Sequence, residues 1–237
     1  MLFKRKKKPQ LLGPRCACVV AAAGSSSRME GADKLMEDLG GEPVILRTLR
    51  ALSASPYIHE ITVVTREDLL LEIGRLCRDN QLTKVTQVLL GGQSRLESVY
   101  KGVCQLSKRA KLIAVHDGAR PFVSHDVIHA VCHAASHCGA ACPAVAVTDT
   151  LKRVEGDRVV ETPDRAAFRA VQTPQVFDAD LLRAALQKAI EDGAAITDDC
   201  SAVEALGATV YLTPGDLRNL KITTPTDLAL ARVMLEG

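Results

Sequence analysis

The residues Val19-Val20-Ala21-Ala22-Ala23-Gly24-Ser25-Ser26-Ser27-Arg28-Met29, with Lys34 five positions on, join an apolar run to a loop of small side chains and two cations. Small side chains let backbone N–H groups approach a bound group, and Arg and Lys supply the charge a polyphosphate requires. No Gly-Lys-Ser/Thr follows at Walker A spacing and no G-x-G-x-x-G occurs here, so neither of those phosphate cradles applies.

Two further stretches have the same character. In Gly91-Gly92-Gln93-Ser94-Arg95-Leu96-Glu97-Ser98 the glycines let backbone groups reach a planar base edge, and Ser98 lies one helical turn beyond Arg95. His116-Asp117-Gly118-Ala119-Arg120-Pro121 follows an apolar run, and a carboxylate there can hold ribose hydroxyls or Mg²⁺. An Asx-type turn closed by Pro121 is the plainer reading, and Arg120 tilts the balance toward a site. Arg165, Thr173, Thr197 and Lys221 carry little local signal: the threonines read equally as caps, and Asn219 to Thr223 reads as an edge strand with a surface lysine. His125, His129, His133 and His137 recur every four residues, but no Glu stands between them as in H-E-x-x-H. A solvated or half-buried helical face is the better reading, because a metal site needs converging ligands.

The elements that must position these residues follow from periodicity. Strands are expected at 16–21, 61–65, 84–90 and 112–116. Helices are expected at 43–54, 68–77 and 95–106, with another from the cap Ser124. Such alternation implies a right-handed, mostly parallel sheet. The pattern then changes. A strand at 144–147 precedes Thr150 to Val154 and Arg158 to Thr162, which flank Glu155-Gly156-Asp157 as an exposed hairpin. Helices at about 179–192, 199–206 and 225–236 and a strand at 209–212 complete the chain. The loops 22–34, 91–98, 116–121 and 148–150 all fall at expected strand carboxyl ends, where open α/β sheets bind ligands.

Composition agrees. Of 237 residues 47% are apolar but only 3% aromatic, so an aliphatic core must form, as suits a helix-covered parallel sheet. The net charge of +2 belongs to the start: without Lys4, Arg5, Lys6, Lys7 and Lys8, 25 bases face 28 acids. Residues 1–14 read as a solvated basic tail rather than a nucleic-acid or membrane arm, and 15–237 as one domain. The eight cysteines lack C-x-x-C pairing and read as free, mostly buried thiols in a reducing cytoplasm.

The motifs Ala22-Ala23-Gly24…Arg28-Met29…Lys34, Gly91-Gly92-x-x-Arg95-x-x-Ser98, Val115-His116-Asp117-Gly118-Ala119-Arg120-Pro121, Asp149-Thr150-Leu151-Lys152, Gln172-Thr173-Pro174-Gln175 and Asn219-Leu220-Lys221 stand in one order. From about residue 16 to 235 the chain resembles the 2-C-methyl-D-erythritol 4-phosphate cytidylyltransferases of non-mevalonate isoprenoid synthesis. That resemblance implies a Rossmann-like, GT-A-type α/β nucleotidyltransferase fold, and a homodimer made through a hairpin arm at about 148–168. It implies transfer of a cytidylyl group from CTP to methylerythritol phosphate, with Mg²⁺ or another divalent cation. By the same resemblance Ala22, Ala23, Gly24, Gly91, Gly92, Arg95, Ser98 and Asp117 bind CTP, with Asp117 near the metal. Arg28, Lys34, Arg165 and Lys221 serve catalysis, and Asp117, Arg120, Thr150, Arg165, Thr173, Thr197 and Lys221 hold the acceptor. A pentitol-phosphate cytidylyltransferase such as the ribitol-phosphate enzymes, and a non-catalytic nucleotide-binding protein, are the rival readings.

Overall fold

The computed structural model describes residues 15–24 and 33–236; the basic start and Arg28 lie outside them. The chain forms β1 (Cys16–Ala22), α1 (Val44–Ala54), β2 (Ile58–Thr65), α2 (Glu67–Asp79), β3 (Val85–Leu90), α3 (Arg95–Gln105), β4 (Leu112–Asp117), α4 (His125–Cys138) and β5 (Ala140–Ala146). There follow β6 (Arg153–Glu155), β7 (Arg158–Glu161), a 3₁₀ turn (Arg165–Ala167), β8 (Arg169–Val171), β9 (Gln175–Asp178), α5 (Ala179–Glu191), α6 (Asp199–Ala205), β10 (Tyr211–Pro214) and α7 (Pro225–Glu236).

The main sheet runs β3-β2-β1-β4-β9-β5-β10, with β8 paired to β5, and the hairpin β6-β7 forms a separate sheet. The pairs β1/β2, β1/β4, β2/β3 and β5/β10 are parallel. β9 runs antiparallel to both β4 and β5, and β8 antiparallel to β5. The fold is thus the expected mostly parallel α/β sheet with a separate hairpin.

β1 shows why the apolar runs become central strands. Alternate side chains enter opposite cores: Cys16, Cys18, Val20 and Ala22 join one with Leu49 of α1 and Val131 of α4, while Ala17 and Val19 join another with Val99 of α3 and Leu182 of α5. Burying each Leu, Ile or Val contributes about 1.5–3 kcal/mol. All eight cysteines are free thiols; Cys104 is exposed and Cys138 half-buried, the others buried.

Several boundaries differ from the sequence reading. β5 starts at Ala140, not 144, because Gly139 (φ 83°) ends α4 in the left-handed region and returns the chain directly to the sheet. The hairpin strands are shorter than expected, with Val154 opposite Val159 and Gly156 (φ 57°) in the turn. The late strand lies at 211–214. β8 and β9 were not expected at all. The edge strand expected at 219–223 is absent: those residues are irregular, and Asn219 and Ile222 are buried. The four histidines of α4 are exposed in a ring-to-ring ladder. His129 stacks on Tyr57 at 4.9 Å, and His133 and His137 lie 4.6 Å apart.

Candidate functional site

β1 is the point where the strand order reverses, with β2 on one side and β4 on the other. A crevice must open at the carboxyl ends of such strands, and the register aligns its walls. Ala21 lies opposite Asp117 of β4, and Ala22 opposite Thr65 of β2. Backbone bonds stitch the strand ends together: Gly118 N donates to Ala21 O (2.9 Å) and Gly91 N to Thr65 O (2.8 Å). Gly91 must be glycine for space, since a Cβ there would stand 2.8 Å from Ala23 Cβ and 2.9 Å from Ser98 Oγ.

The opening is a cavity of about 350 Å³ lined by Ala22, Ala23, Gly24, Lys34, Gly92, Arg95, Ser98, Asp117 and Lys221, together with Ala21, Leu35, Gln93, Ser94 and Ala119. Three of the four anticipated loops therefore meet. Ser98 also builds the wall, because its Oγ accepts from Gly92 N (3.0 Å) and donates to Ser94 O (2.8 Å). Ser94 caps α3 by accepting from Glu97 N.

Asp117 is the carboxylate of this cavity, and cations surround it. Its oxygens lie 2.9 Å from Lys221 Nζ, 3.4 Å from Arg120 Nε and 3.8 Å from Arg95 Nη2. Burial by itself would raise its pKa, but Lys221 and then Arg95 outweigh that and hold it at about 2. Lys221 is brought there by a pinned, irregular segment. Arg120 Nη1 donates to Asn219 O (2.7 Å), Ile222 N donates to Ala119 O (2.9 Å), and Asn219 Nδ2 donates to Thr173 O (2.8 Å).

Beneath Asp117 a relay of hydrogen bonds runs through His116 and Thr173. His116 is wholly buried. Its Nε2 faces Arg120 O at 3.2 Å, and a carbonyl only accepts, so Nε2 carries the proton. Nδ1 then accepts from the Thr173 hydroxyl (3.0 Å), which in turn accepts from Asp117 N (3.1 Å). Burial pushes His116 down to about 4, against the pull of Asp117, so the ring is neutral at ordinary pH. On the far wall Arg95 Nη2 donates to the fully buried Asp199 (2.7 Å). Burial raises the Asp199 carboxyl, and Arg95 offsets this in part. Gln175 fixes that corner: its Oε1 accepts from Asp199 N and Cys200 N, and its Nε2 donates to Asp198, the cap of α6.

The remaining candidates lie elsewhere. Gly91 stands behind the wall. Arg120 and Thr173 are buried under Asp117. Thr150, Arg165 and Thr197 are exposed and do not line the cavity in this chain. Arg165 Nη1 instead donates to Thr148 O (2.5 Å). The anticipated loop 148–150 thus belongs to the hairpin's root. Sequence reasoning missed His116, Gln175 and Asp199 as supports, since their partners are distant in the chain. Among the described residues no group of three or more His, Cys, Asp or Glu side chains is arranged to hold a metal. One cavity carboxylate does suit Mg²⁺, which commonly takes one or two carboxylates and completes its shell with substrate phosphates and water.

Residues 16–237 match the family model for 2-C-methyl-D-erythritol 4-phosphate cytidylyltransferase. The chain belongs to this family. A cytidylyltransferase of that name from Symbiobacterium thermophilum is 43% identical over 220 residues, 92% of each chain. The one from Halalkalibacterium halodurans is 41% identical over 218 residues, 92% of this chain and 95% of its relative. The crystal structure of the 4-diphosphocytidyl-2C-methyl-D-erythritol synthase from Anaerococcus prevotii superposes with a TM-score of 0.83 at 29% identity, covering 95% of this chain and all of that one. As a member of the 2-C-methyl-D-erythritol 4-phosphate cytidylyltransferases the protein is a nucleotidyltransferase. No helix among the described residues is long and apolar enough to cross a membrane.

Proposed function

We propose that the cavity at the end of β1 binds the triphosphate of CTP, and that the enzyme transfers its cytidylyl group to 2-C-methyl-D-erythritol 4-phosphate with release of pyrophosphate. The observation that carries this reading is the gathering of Lys34, Arg95 and Lys221 around one cavity floored by Ala22, Ala23 and Gly24. The attacking group is a phosphate monoester, whose second pKa is about 6, so it arrives already ionised. The site matches that requirement, since Asp117 is paired and stays ionised and His116 is buried off the cavity. What remains is to hold two polyanions in line and stabilise charge on the α-phosphate, which fixed cations do by electrostatics and positioning. Mg²⁺, held by Asp117 and the nucleotide phosphates, would neutralise part of the triphosphate charge. Arg28, between Gly24 and Lys34 in the chain, is assigned with Lys34 to the α-phosphate.

Thr150 and Arg165 are assigned to the acceptor across a dimer. An isolated two-stranded hairpin is marginal in water, and Val154 and Val159 are 53% and 54% exposed on β6 and β7. A homodimer in which each hairpin reaches the partner's cavity would cover them. Free, mostly buried thiols suit a reducing cytoplasm.

Pyrophosphate release from CTP, measured separately with methylerythritol phosphate and with ribitol phosphate, tests the reading. Turnover is expected with the first alone. Preference for ribitol phosphate, or binding of CTP without turnover on either, overturns it.

A further inference from the structure

Arg66, the residue between β2 and α2, takes no part in the cavity lining, yet its guanidinium bridges Gly24 and Asp33, the residues that flank positions 25–32. Nη1 donates to Gly24 O (2.8 Å), Nη2 to the carboxylate of Asp33, and Nε and Nη2 together to Asp68 (3.1 and 2.9 Å). Gly24 is the last described residue before 25–32 and Asp33 the first after them. Asp33 uses its other oxygen to accept from Leu35 N (2.9 Å), and its carbonyl accepts from Met36 N (2.9 Å) and Glu37 N (3.0 Å). The carboxylate that Arg66 grips therefore shapes the turn on which Lys34 stands. Gly24 and Lys34 both line the cavity.

An exposed ion pair contributes little, and Asp68, 63% exposed, is of that kind. The Asp33 end is different: the two side chains are 23% and 21% exposed, and one guanidinium joins a carboxylate to a backbone carbonyl that nine peptide bonds separate along the chain. Only a fork of several donors can reach Gly24, Asp33 and Asp68 at once; a lysine ammonium at this position cannot.

We propose that Arg66 is a positioning residue for nucleotidyl transfer, which ties Gly24 to Asp33 and so fixes Lys34 against the cavity. This rests on the reading of the cavity as the CTP site. Its loss leaves Arg95 and the strand end at Ala22 in place for ground-state binding but frees Gly24 from Asp33 and loosens Lys34, whose value lies in being fixed before charge develops. Arg66→Met is expected to lower kcat about tenfold, as for partners that orient a functional group, with KM for CTP changed less than threefold. Arg66→Lys, which keeps the charge and loses the fork, stays impaired. In a Lys34→Ala background Arg66→Met produces no further loss, because its effect passes through Lys34. Thermal melting reports folding of each variant. Wild-type kcat in Arg66→Met, full rescue by Lys, or an equal further loss in the Lys34→Ala background overturns the proposal. Failure of the wild type to release pyrophosphate would instead sink the functional reading.

Discussion

His116 gives the sharpest quantitative test of the polar layer under the cavity. Its ring is fully buried between the Arg120 carbonyl and the Thr173 hydroxyl, and burial depresses it to about 4. In the unfolded chain it titrates near 6.5. Between those values the unfolded state binds more protons than the native state, so stability rises with pH across the window and falls as pH drops. Across the whole window this one group is worth about 3 kcal/mol, of which about 2 kcal/mol is lost between pH 7 and pH 5. Protonation also places a hydrogen on Nδ1 where Thr173 now donates, breaking the chain that ends at Asp117 N. Urea unfolding at pH 7 and pH 5, in wild type and His116→Gln, isolates the term. Gln keeps a donor for the Arg120 carbonyl and does not titrate. The variant is less stable at pH 7, but its loss on going to pH 5 should be smaller than that of wild type by about 2 kcal/mol. Equal pH dependence in the two proteins, within about 0.5 kcal/mol, refutes the argument.

Other parts of the site make their own demands. Asp199→Asn leaves the Arg95 guanidinium without its buried anion; for a pair one third exposed on the arginine side this should cost about 1–3 kcal/mol in chemical denaturation, less than a fully buried break, and raise KM for CTP about tenfold. Unchanged values on both counts would remove Asp199 from the site. Gly91→Ala puts a methyl group against Ala23 and Ser98, so CTP affinity by calorimetry should fall, with about 1–3 kcal/mol of overpacking in the fold; tight CTP binding would show that the wall yields. Val154→Lys with Val159→Lys should convert a dimer to a monomer by light scattering with little change in far-ultraviolet circular dichroism, whereas an unaltered mass would place any interface elsewhere.

What the sequence revealed, and what it hid, follows from the range of the forces involved. β1 was legible because a strand buried on both faces must be a continuous apolar run, and Ser124 announced α4 through a local capping bond. β8 was hidden because its three residues are exposed and owe their conformation to pairing with β5, and β9 because it begins with a polar Gln whose side chain serves α6. Asn219 to Thr223 alternates polar and apolar as a strand does. The alternation there reflects Asn219 and Lys221 reaching Thr173 and Asp117 while Ile222 enters the core. Lys34, Arg95, Asp117 and Lys221 could be named from motifs. Their supports could not: Asp199 lies 104 positions from Arg95, and Arg66 reads as one more surface base ahead of Glu67 and Asp68.

A carboxylate at the centre of an anion site looks counterproductive until the cations around it are considered together. Lys221, Arg120 and Arg95 all approach Asp117 within 4 Å, and without it their mutual repulsion in a partly buried corner would drive the most mobile of them outward. The three differ in what else holds them. Arg120 is tied to the Asn219 carbonyl and Arg95 to Asp199, whereas Lys221, 40% exposed, has Asp117 as its ion-pair partner. Arg95 is thus a fixed part of the cavity wall and Arg120 a fixed support beneath Asp117, while the ammonium is the cation best able to exchange its carboxylate for an incoming phosphate. On the proposed reaction that division is the required one: the nucleotide needs charge fixed in advance, while the acceptor's phosphate needs a cation that can follow it into line.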